Sequence, residues 1–381
     1  MILNEDQERF RLTVRDFVRR AVKPFASDWE EKRSFPIGLA RQLGEMGLLG
    51  VTVPLEWGGT GADYVCYALA LMEISAGDGA LGLTVSGHNS VVCMPLATFG
   101  SDSQRERYLR PAVSGEQLGC FALTEPHGGS DASDLRTRAV RTAKGWRIDG
   151  VKQFISTASV ADFVIAFVKT DPAAGKRGIS AFVFPTSTPG FRVTRIEKKM
   201  GLNASNTCEV VFDGVEVSDN AMLGQEGQGY KIALSNLEGG RIGIASQSVG
   251  LARAALEHAV VYARERIAFG KPIAQHQAVA LRLGEMATRV TAAEQLVLHA
   301  AAIKSANKPC LTEASMAKLL ATETAERVAS DAVQTLGGNG YMAGYHVERI
   351  YRDARGPKIY EGTNDIQKLV ISRALTGMAA F

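Results

Sequence analysis

Strand-like sequence in this chain is confined to one block, residues 120–228, and that confinement constrains the fold more than any other feature. Within it, "GWRIDGVKQFIS", "DFVIAFVKT", "ISAFVFPT" and "CEVVFDGVEVSD" are short runs rich in β-branched and aromatic residues, the composition that suits a pleated surface. Asp149-Gly150 and Asp213-Gly214 have the chemistry of tight hairpin turns, so the first and last runs each read as two strands. Strands at such short spacing predict a compact β-domain or barrel.

Both flanks read as helices. Asn4 and Gln7 fit a capping box, and Phe10, Val14, Phe17, Val18 and Val22 follow at helical spacing. "GLARQLGEMGLLG" is a second helix that ends at glycines, and "ADYVCYALALMEISAG" is a third, apolar enough to be largely buried. Residues 229–266 are rich in Ala and Leu until "FGKP" stops them. Further helices are predicted over about 274–306 and 311–336, and a last one begins near Asn364. The expected division is an N-terminal helical domain over 1–119, a β-domain over 120–228 and a helical bundle over 229–381. This block order of α, then β, then α differs from the alternating pattern of a doubly wound sheet.

Length and charge narrow the function. A chain of 381 residues has room for two or three domains and a large core. A net charge of +3 is too small to point to nucleic acid, but it allows a local basic patch facing an anionic cofactor. The cysteines Cys66, Cys93, Cys120, Cys208 and Cys310 are dispersed, which fits reduced thiols rather than zinc. The six histidines show no metal-ligand spacing, so no metal is expected. No apolar run reaches membrane-spanning length. "MILNEDQERF" is acidic and polar, unlike a targeting segment, so the expected location is a bacterial cytoplasm, or a mitochondrial matrix for a processed chain.

Five motifs have both a bland and a functional reading. "LGGNGYMAG" carries G-x-G-x-x-A at Gly338, Gly340 and Ala343, but a helix rather than a strand precedes it. It reads as a glycine-rich helix stop whose backbone admits a close ligand. "CFALTEPHGGSD" is either an ordinary loop or one whose N–H groups and hydroxyls meet a polar ring edge or a phosphate. In "YARERIAFGKPI", Arg264 and Arg266 sit where a helix dipole favours cations. In "EGGRIGIASQ", Gly239 and Gly240 each cost a helix about 1 kcal/mol, so either a ligand lies close or the helix bends. In "KIYEGTNDIQ", Glu361 alone reads as a solvated charge at a helix start or as a base.

Together and in order, "ALTEPHGGSD", "KQFIS", "GGRIGIASQSVG", "ERIAFGKPI", "QTLGGNGY" and "IYEGTNDIQ" resemble the acyl-CoA dehydrogenase family of flavoproteins, over nearly the whole chain. The resemblance implies an α+β chain with an N-terminal helical domain, a middle β-barrel and a C-terminal four-helix bundle. It implies bound FAD, a homotetramer built as a dimer of dimers, and an electron-transferring flavoprotein as acceptor. Matched by motif, Phe121, Leu123 and Thr124 line the isoalloxazine, and Ser130 lies near the flavin or the CoA. Phe154 flanks the ring, and Ser156 lies at its edge. Arg266, Phe269, Gln277, Gln334 and Gly338 hold the FAD tail, some from a neighbouring subunit, and Thr363 touches the same cofactor. Glu238, Arg241 and Gly362 join Ser130 on the substrate side.

By the same resemblance, Glu361 is the catalytic base of an α,β-dehydrogenation. It takes the α-proton of an acyl thioester while a hydride leaves the β-carbon for flavin N5. So weak an acid needs donors at the developing enolate oxygen, implied to be the base's own backbone N–H and a ribityl hydroxyl. It also needs a carboxylate made more basic by desolvation. Some members carry the base just before the residue matching Arg241; here that position is Gly240. Glu238 is the one nearby carboxylate to control for. His127, Asn203 and Gly356-Pro357 depart from the family pattern. "ALGLTVSGHNS" lacks the arginine of glutaryl-specific members, which argues against a dicarboxylic substrate. "GGRIGIASQ" most resembles short-chain members, so a short, straight or branched acyl-CoA is expected. An acyl-carrier-protein thioester, or oxygen chemistry on the same fold, is the alternative.

Overall fold

The computed structural model describes residues 1–379. The first helices are α1 (Glu5–Ala21), α2 (Ala26–Lys32), α3 (Ile37–Glu45), α4 (Tyr64–Gly77) and α5 (Gly79–Gly87). Both halves of the Asn4–Gln7 capping box form at the start of α1, which buries Val14, Phe17 and Val18. α4 is buried on all sides from Tyr67 to Gly77 and packs against α1. It is the core helix its unbroken apolar sequence predicts. Beyond α5 come α6 (Met94–Phe99), α7 (Asp102–Gln104) and α8 (Arg110–Ser114), separated by wider π-type turns at His88–Cys93 and Arg105–Leu109. This stretch lacks a steady 3.6-residue period because the helix is repeatedly re-wound, so the sequence pattern does not announce it.

The strands are β1 (Gly119–Ala122), β2 (Arg138–Thr142), β3 (Gly145–Ser156), β4 (Phe163–Lys169), β5 (Ile179–Pro185), β6 (Phe191–Ile196), β7 (Thr207–Val217) and β8 (Met222–Leu223). Their hydrogen-bonded order is β6-β7-β3-β2-β4-β5-β8, with β1 parallel to β4. Trp146, Ile148, Val164, Phe182, Phe184, Val210 and Phe212 fill the space enclosed by this curved sheet. On its other side Phe163, Ile165, Phe167 and Val183 meet Leu96, Tyr108, Leu109 and Ile232. β4 and β5 are therefore buried on both faces, which explains their unbroken apolar runs.

Both expected Asp-Gly turns are corrected. β3 and β7 each run straight through their Asp-Gly pair as one long strand. The register shifts where Ile148 pairs Val215 but Gly150 pairs Phe212. One extra residue on β7 makes a bulge, and Gly214, at φ +64°, donates its N–H to Asp149 Oδ1 at 2.7 Å. The chemistry that favours a hairpin turn also suits a bulge, and only tertiary pairing decides between them.

The last block contains α9 (Gly229–Ser235), α10 (Leu237–Glu265), the hairpin β9 (Ile267–Ala268) and β10 (Lys271–Pro272), α11 (Gln277–Ser305), α12 (Leu311–Leu336), α13 (Gly338–Tyr341), α14 (Val347–Arg355) and α15 (Asn364–Thr376). The helix expected over 229–266 is two helices, broken at Asn236. α10 is the central strut, packed against α4, α11 and α12, while α15 closes on α12. Among the described residues no helix is long and apolar enough to cross a membrane.

Candidate active site

Glu361 sits in the short turn between α14 and α15. Its backbone is left-handed, at φ +54°, and Gly362 follows at φ +82°. A non-glycine residue held there costs on the order of 1–3 kcal/mol, so its surroundings must enforce it. Lys318 on α12 supplies part of that force, donating to the Gly362 carbonyl at 2.9 Å and to Asn364 Oδ1 at 3.0 Å. Gln367 donates to the Gly362 carbonyl at 2.8 Å. Thr363 caps α15 by accepting the Ile366 N–H.

The turn points the Glu361 side chain at α10. A Cβ built on Gly240 would lie 2.9 Å from Glu361 Oε2, so the helix leaves out a side chain where the carboxylate lies. Burial raises the affinity of Glu361 for its proton; Arg241 and Lys318 only partly offset it. Arg241 is buried beside it, donating from Nη1 to Ser315 Oγ at 3.0 Å while its Nε has no partner. Glu238 differs. It pairs with Lys304 at 2.6 Å and accepts the Cys310 N–H at 3.3 Å. Burial would raise its proton affinity, but those contacts outweigh it and hold it below the usual carboxylate range. Glu238 is thus committed, and Glu361 is the carboxylate with basicity to spare.

A second group lies on the middle domain. Phe121 packs tilted on Phe167 with centroids 4.6 Å apart. The loop after it is pinned from beneath: the Gln153 N–H donates to the Thr124 carbonyl at 2.9 Å, and Lys152 Nζ to the Leu123 carbonyl at 3.0 Å. Lys152 also pairs with Glu125 at 2.8 Å, both side chains buried. Phe154 is 60% exposed at φ +59°, with Ser156 two residues along β3. Ser130 is exposed. His127 anchors the same loop through the Asp134 carbonyl at 2.8 Å.

A third group surrounds a cavity of about 380 Å³ lined by Tyr262, Arg266, Ile273, Thr335, Leu336, Gly337, Gly338 and Asn339. Nothing lies within 4 Å of a Cβ built on Gly337 or Gly338, so this backbone faces open space. Gln277 and Gln334 are exposed at neighbouring helix ends. Phe269 stands 95% exposed at the tip of the β9–β10 hairpin, edge-on to His276. The chain thus brings Arg266 and Gly338 together but leaves Phe269 outside the cavity.

Two departures from the family pattern have local reasons. Asn203 donates through its backbone N–H and its side chain to Glu30 at 3.0 and 2.7 Å. A Cβ on Gly356 would lie 3.0 Å from the Tyr360 ring, so glycine permits that packing. Lys318 and Lys152 are functional candidates that the motifs do not single out. Their signal is a lone charge in apolar surroundings: Lys318 lies among the buried alanines Ala314, Ala317, Ala321 and Ala325 of α12.

Comparison with known proteins places the whole chain among one group of relatives. The sequence profiles of the acyl-CoA dehydrogenase N-terminal, middle and C-terminal domains match residues 4–116, 120–215 and 227–376. An acyl-CoA dehydrogenase of Bacillus subtilis is 48% identical over 377 residues, covering 99% of this chain and 100% of that one. The mitochondrial short-chain specific acyl-CoA dehydrogenase of Bos taurus is 41% identical, covering 97% and 90%. The solved butyryl-CoA dehydrogenase of Megasphaera elsdenii superposes with a TM-score of 0.95 at 39% identity, covering 98% of this chain and 99% of that one. Matched along nearly its whole length and in all three domains, the chain belongs to the acyl-CoA dehydrogenase family.

Proposed function

We propose that the chain is an FAD-dependent dehydrogenase of short-chain acyl-CoA thioesters with Glu361 as its base. The observation that carries the reading is the desolvated Glu361 carboxylate, held in a strained turn over a helix face with no side chain at Gly240. Members of this family are FAD-dependent, and the residues present fit that cofactor. The cavity beside Arg266, the open Gly337–Gly338 backbone, the pinned 121–125 loop and the exposed Phe154 ring suit a phosphate-bearing, planar-ringed ligand. Bound there, FAD supplies the acceptor for the β-hydride.

The remaining work belongs to the protein. Glu361 takes the α-proton, and an acyl chain that excludes water raises its basicity further. Among the described residues the Glu361 N–H has no protein acceptor, so it is free to donate to the thioester oxygen as enolate charge develops. Arg241 and Lys318 supply positive charge that offsets part of the cost of burying the carboxylate's charge before substrate enters. Glu238 is held away by Lys304 and is not the base.

A short acyl chain fits the helix face beyond Glu361. A Cβ on Gly243, one turn along α10 from Gly240, would lie 2.3 Å from Ser86 Oγ and 2.5 Å from Tyr67 Oη. Protein already fills that end of the face. Relatives that are short-chain specific support the same choice. The proposed domains are 1–119, 120–228 and 229–381. A homotetramer is favoured by Phe269, 95% exposed, Leu281 and Tyr341, apolar side chains suited to cover by another subunit. An electron-transferring flavoprotein is the proposed acceptor and the cytoplasm the proposed location.

The test is anaerobic mixing with a series of saturated acyl-CoAs while the flavin visible band is followed. Bleaching by butyryl-CoA is expected. A yellow protein that no acyl-CoA bleaches would overturn the reading. Rapid reoxidation by air would move it to oxygen chemistry, and bleaching only by an acyl-carrier-protein thioester would move it to a biosynthetic role.

A further inference from the structure

We propose that Lys318 is a positioning residue for the proposed base, a buried ammonium that clamps the turn presenting Glu361 and faces its carboxylate with an opposite charge. The proposal rests on Glu361 being that base.

Three observations converge on Lys318. Its side chain is fully buried, a rare condition for lysine that demands partners. Its partners are not on its own helix. Nζ reaches the Gly362 carbonyl and Asn364 Oδ1, the residues one and three places after Glu361. Asn364 Oδ1 also accepts from Thr322 Oγ at 3.1 Å, one turn further along α12. α12 therefore grips the turn by two donors, while Gln367 of α15 grips it from the other end. The left-handed Glu361–Gly362 backbone would relax toward an ordinary conformation if that grip were lost.

Charge adds to geometry. The groups that face Lys318 are Glu361 from the turn, Arg241 from α10 and Lys358 from the turn before Glu361, with Lys358 itself paired to Glu326. Burial pulls the Lys318 ammonium down to about 7; Glu361 opposes that fall, while Arg241 and Lys358 add to it. Below that pH Lys318 is charged, and its charge lowers the proton affinity of Glu361. Methionine at 318 would remove it and make Glu361 ionise at higher pH.

The test uses the FAD-loaded enzyme with Lys318→Met and Lys318→Arg. For Lys318→Met, kcat with butyryl-CoA should fall about 100-fold at little-changed KM, since misplacing a reacting group by about 1 Å costs that much. The acid limb of its kcat profile should move up by about one pH unit, the loss of one close opposite charge. Lys318→Arg should return the limb toward the wild-type position. Amide hydrogen exchange over residues 359–364 should rise in Lys318→Met. Wild-type kcat in Lys318→Met would overturn the proposal. So would a lower kcat with an unmoved limb, because packing alone does not shift a pH profile. If Lys318→Met fails to hold FAD, Asn364→Leu decides: lower kcat and faster exchange at 359–364 support the clamp, and wild-type values overturn it. If no acyl-CoA bleaches the wild-type flavin, the dehydrogenase reading falls. The exchange measurement still reports on the clamp by itself.

Discussion

The Glu361 carboxylate occupies the space that a side chain at position 240 would need: a Cβ there would lie 2.9 Å from Oε2 and 3.2 Å from Cδ. The start of α10 and the turn before α15, far apart in sequence, therefore meet at one point in space. Gly240 costs α10 about 1 kcal/mol of helix propensity, and the carboxylate beneath it explains why that cost is borne.

Gly240→Ala follows directly. A methyl group would push the carboxylate off its line while favouring the helix. The expected result is unchanged or slightly higher thermal stability, full FAD content, and kcat lower by about 10- to 100-fold. Stopped-flow reduction by butyryl-CoA measures it, and wild-type reduction rates would mean that the carboxylate moves on substrate binding.

Glu361→Gln separates base from scaffold. The amide keeps the shape and cannot take the proton, so turnover should fall by about 100- to 10,000-fold while the visible flavin spectrum stays the same. The unfavourable burial of a charge is also relieved, so Tm should rise rather than fall. Full turnover in this variant would return the base role to another group, with Glu238→Gln the next variant to assay.

Stability should depend on pH through Asp353. This residue of α14 is buried, accepts the Leu202 N–H and lies near the buried Asp78. Burial first, then Asp78 and Glu30, push its proton affinity up to about 7. A carboxyl raised on folding is protonated in the folded state while the unfolded chain is already ionised. Its contribution is therefore whole below the unfolded pKa near 4 and is lost as pH rises toward 7. Asp353→Asn should raise stability at pH 8, by no more than about 4 kcal/mol, and raise it much less at pH 5; thermal melts at the two pH values measure it. Equal effects at both pH values would show that Asp353 stays ionised throughout.

Much of this was legible in the sequence because it is local. The Asn4–Gln7 cap, the buried run of α4 and the three-block order follow from spacing and composition. Glu361 was legible as a motif, but its environment was not: Gly240, Lys318 and Glu361 are far apart in sequence, and only the packing of α10 and α12 brings them together. The Asp-Gly pairs misled for the same reason. Asp149 and Gly214 satisfy each other across two strands, a partnership that neither stretch displays alone. The break at Asn236 also lacks a proline to announce it.

The buried Lys152–Glu125 pair makes the last prediction, because it underpins the loop proposed to face the flavin without touching its exposed surface. Glu125 accepts the backbone N–H groups of Arg136 and Thr137 at 2.6 and 3.0 Å, and Lys152 donates to the Leu123 carbonyl. Burial lowers the Lys152 ammonium to about 8, with Glu125 opposing, so the pair remains charged at neutral pH. Lys152→Met strands the Glu125 carboxylate in the interior, which costs on the order of 3–5 kcal/mol. It also frees the Leu123 carbonyl, so flavin-to-protein ratio and Tm should fall together. Adding Glu125→Gln removes the stranded charge, although the amide offers one acceptor oxygen where the carboxylate's two served the Arg136 and Thr137 N–H groups. The stranded charge costs more than one lost acceptor, about 1–3 kcal/mol, so the double variant should be more stable than Lys152→Met alone, and a double variant less stable than the single would show that Glu125 matters as a two-oxygen acceptor rather than as the partner charge of Lys152.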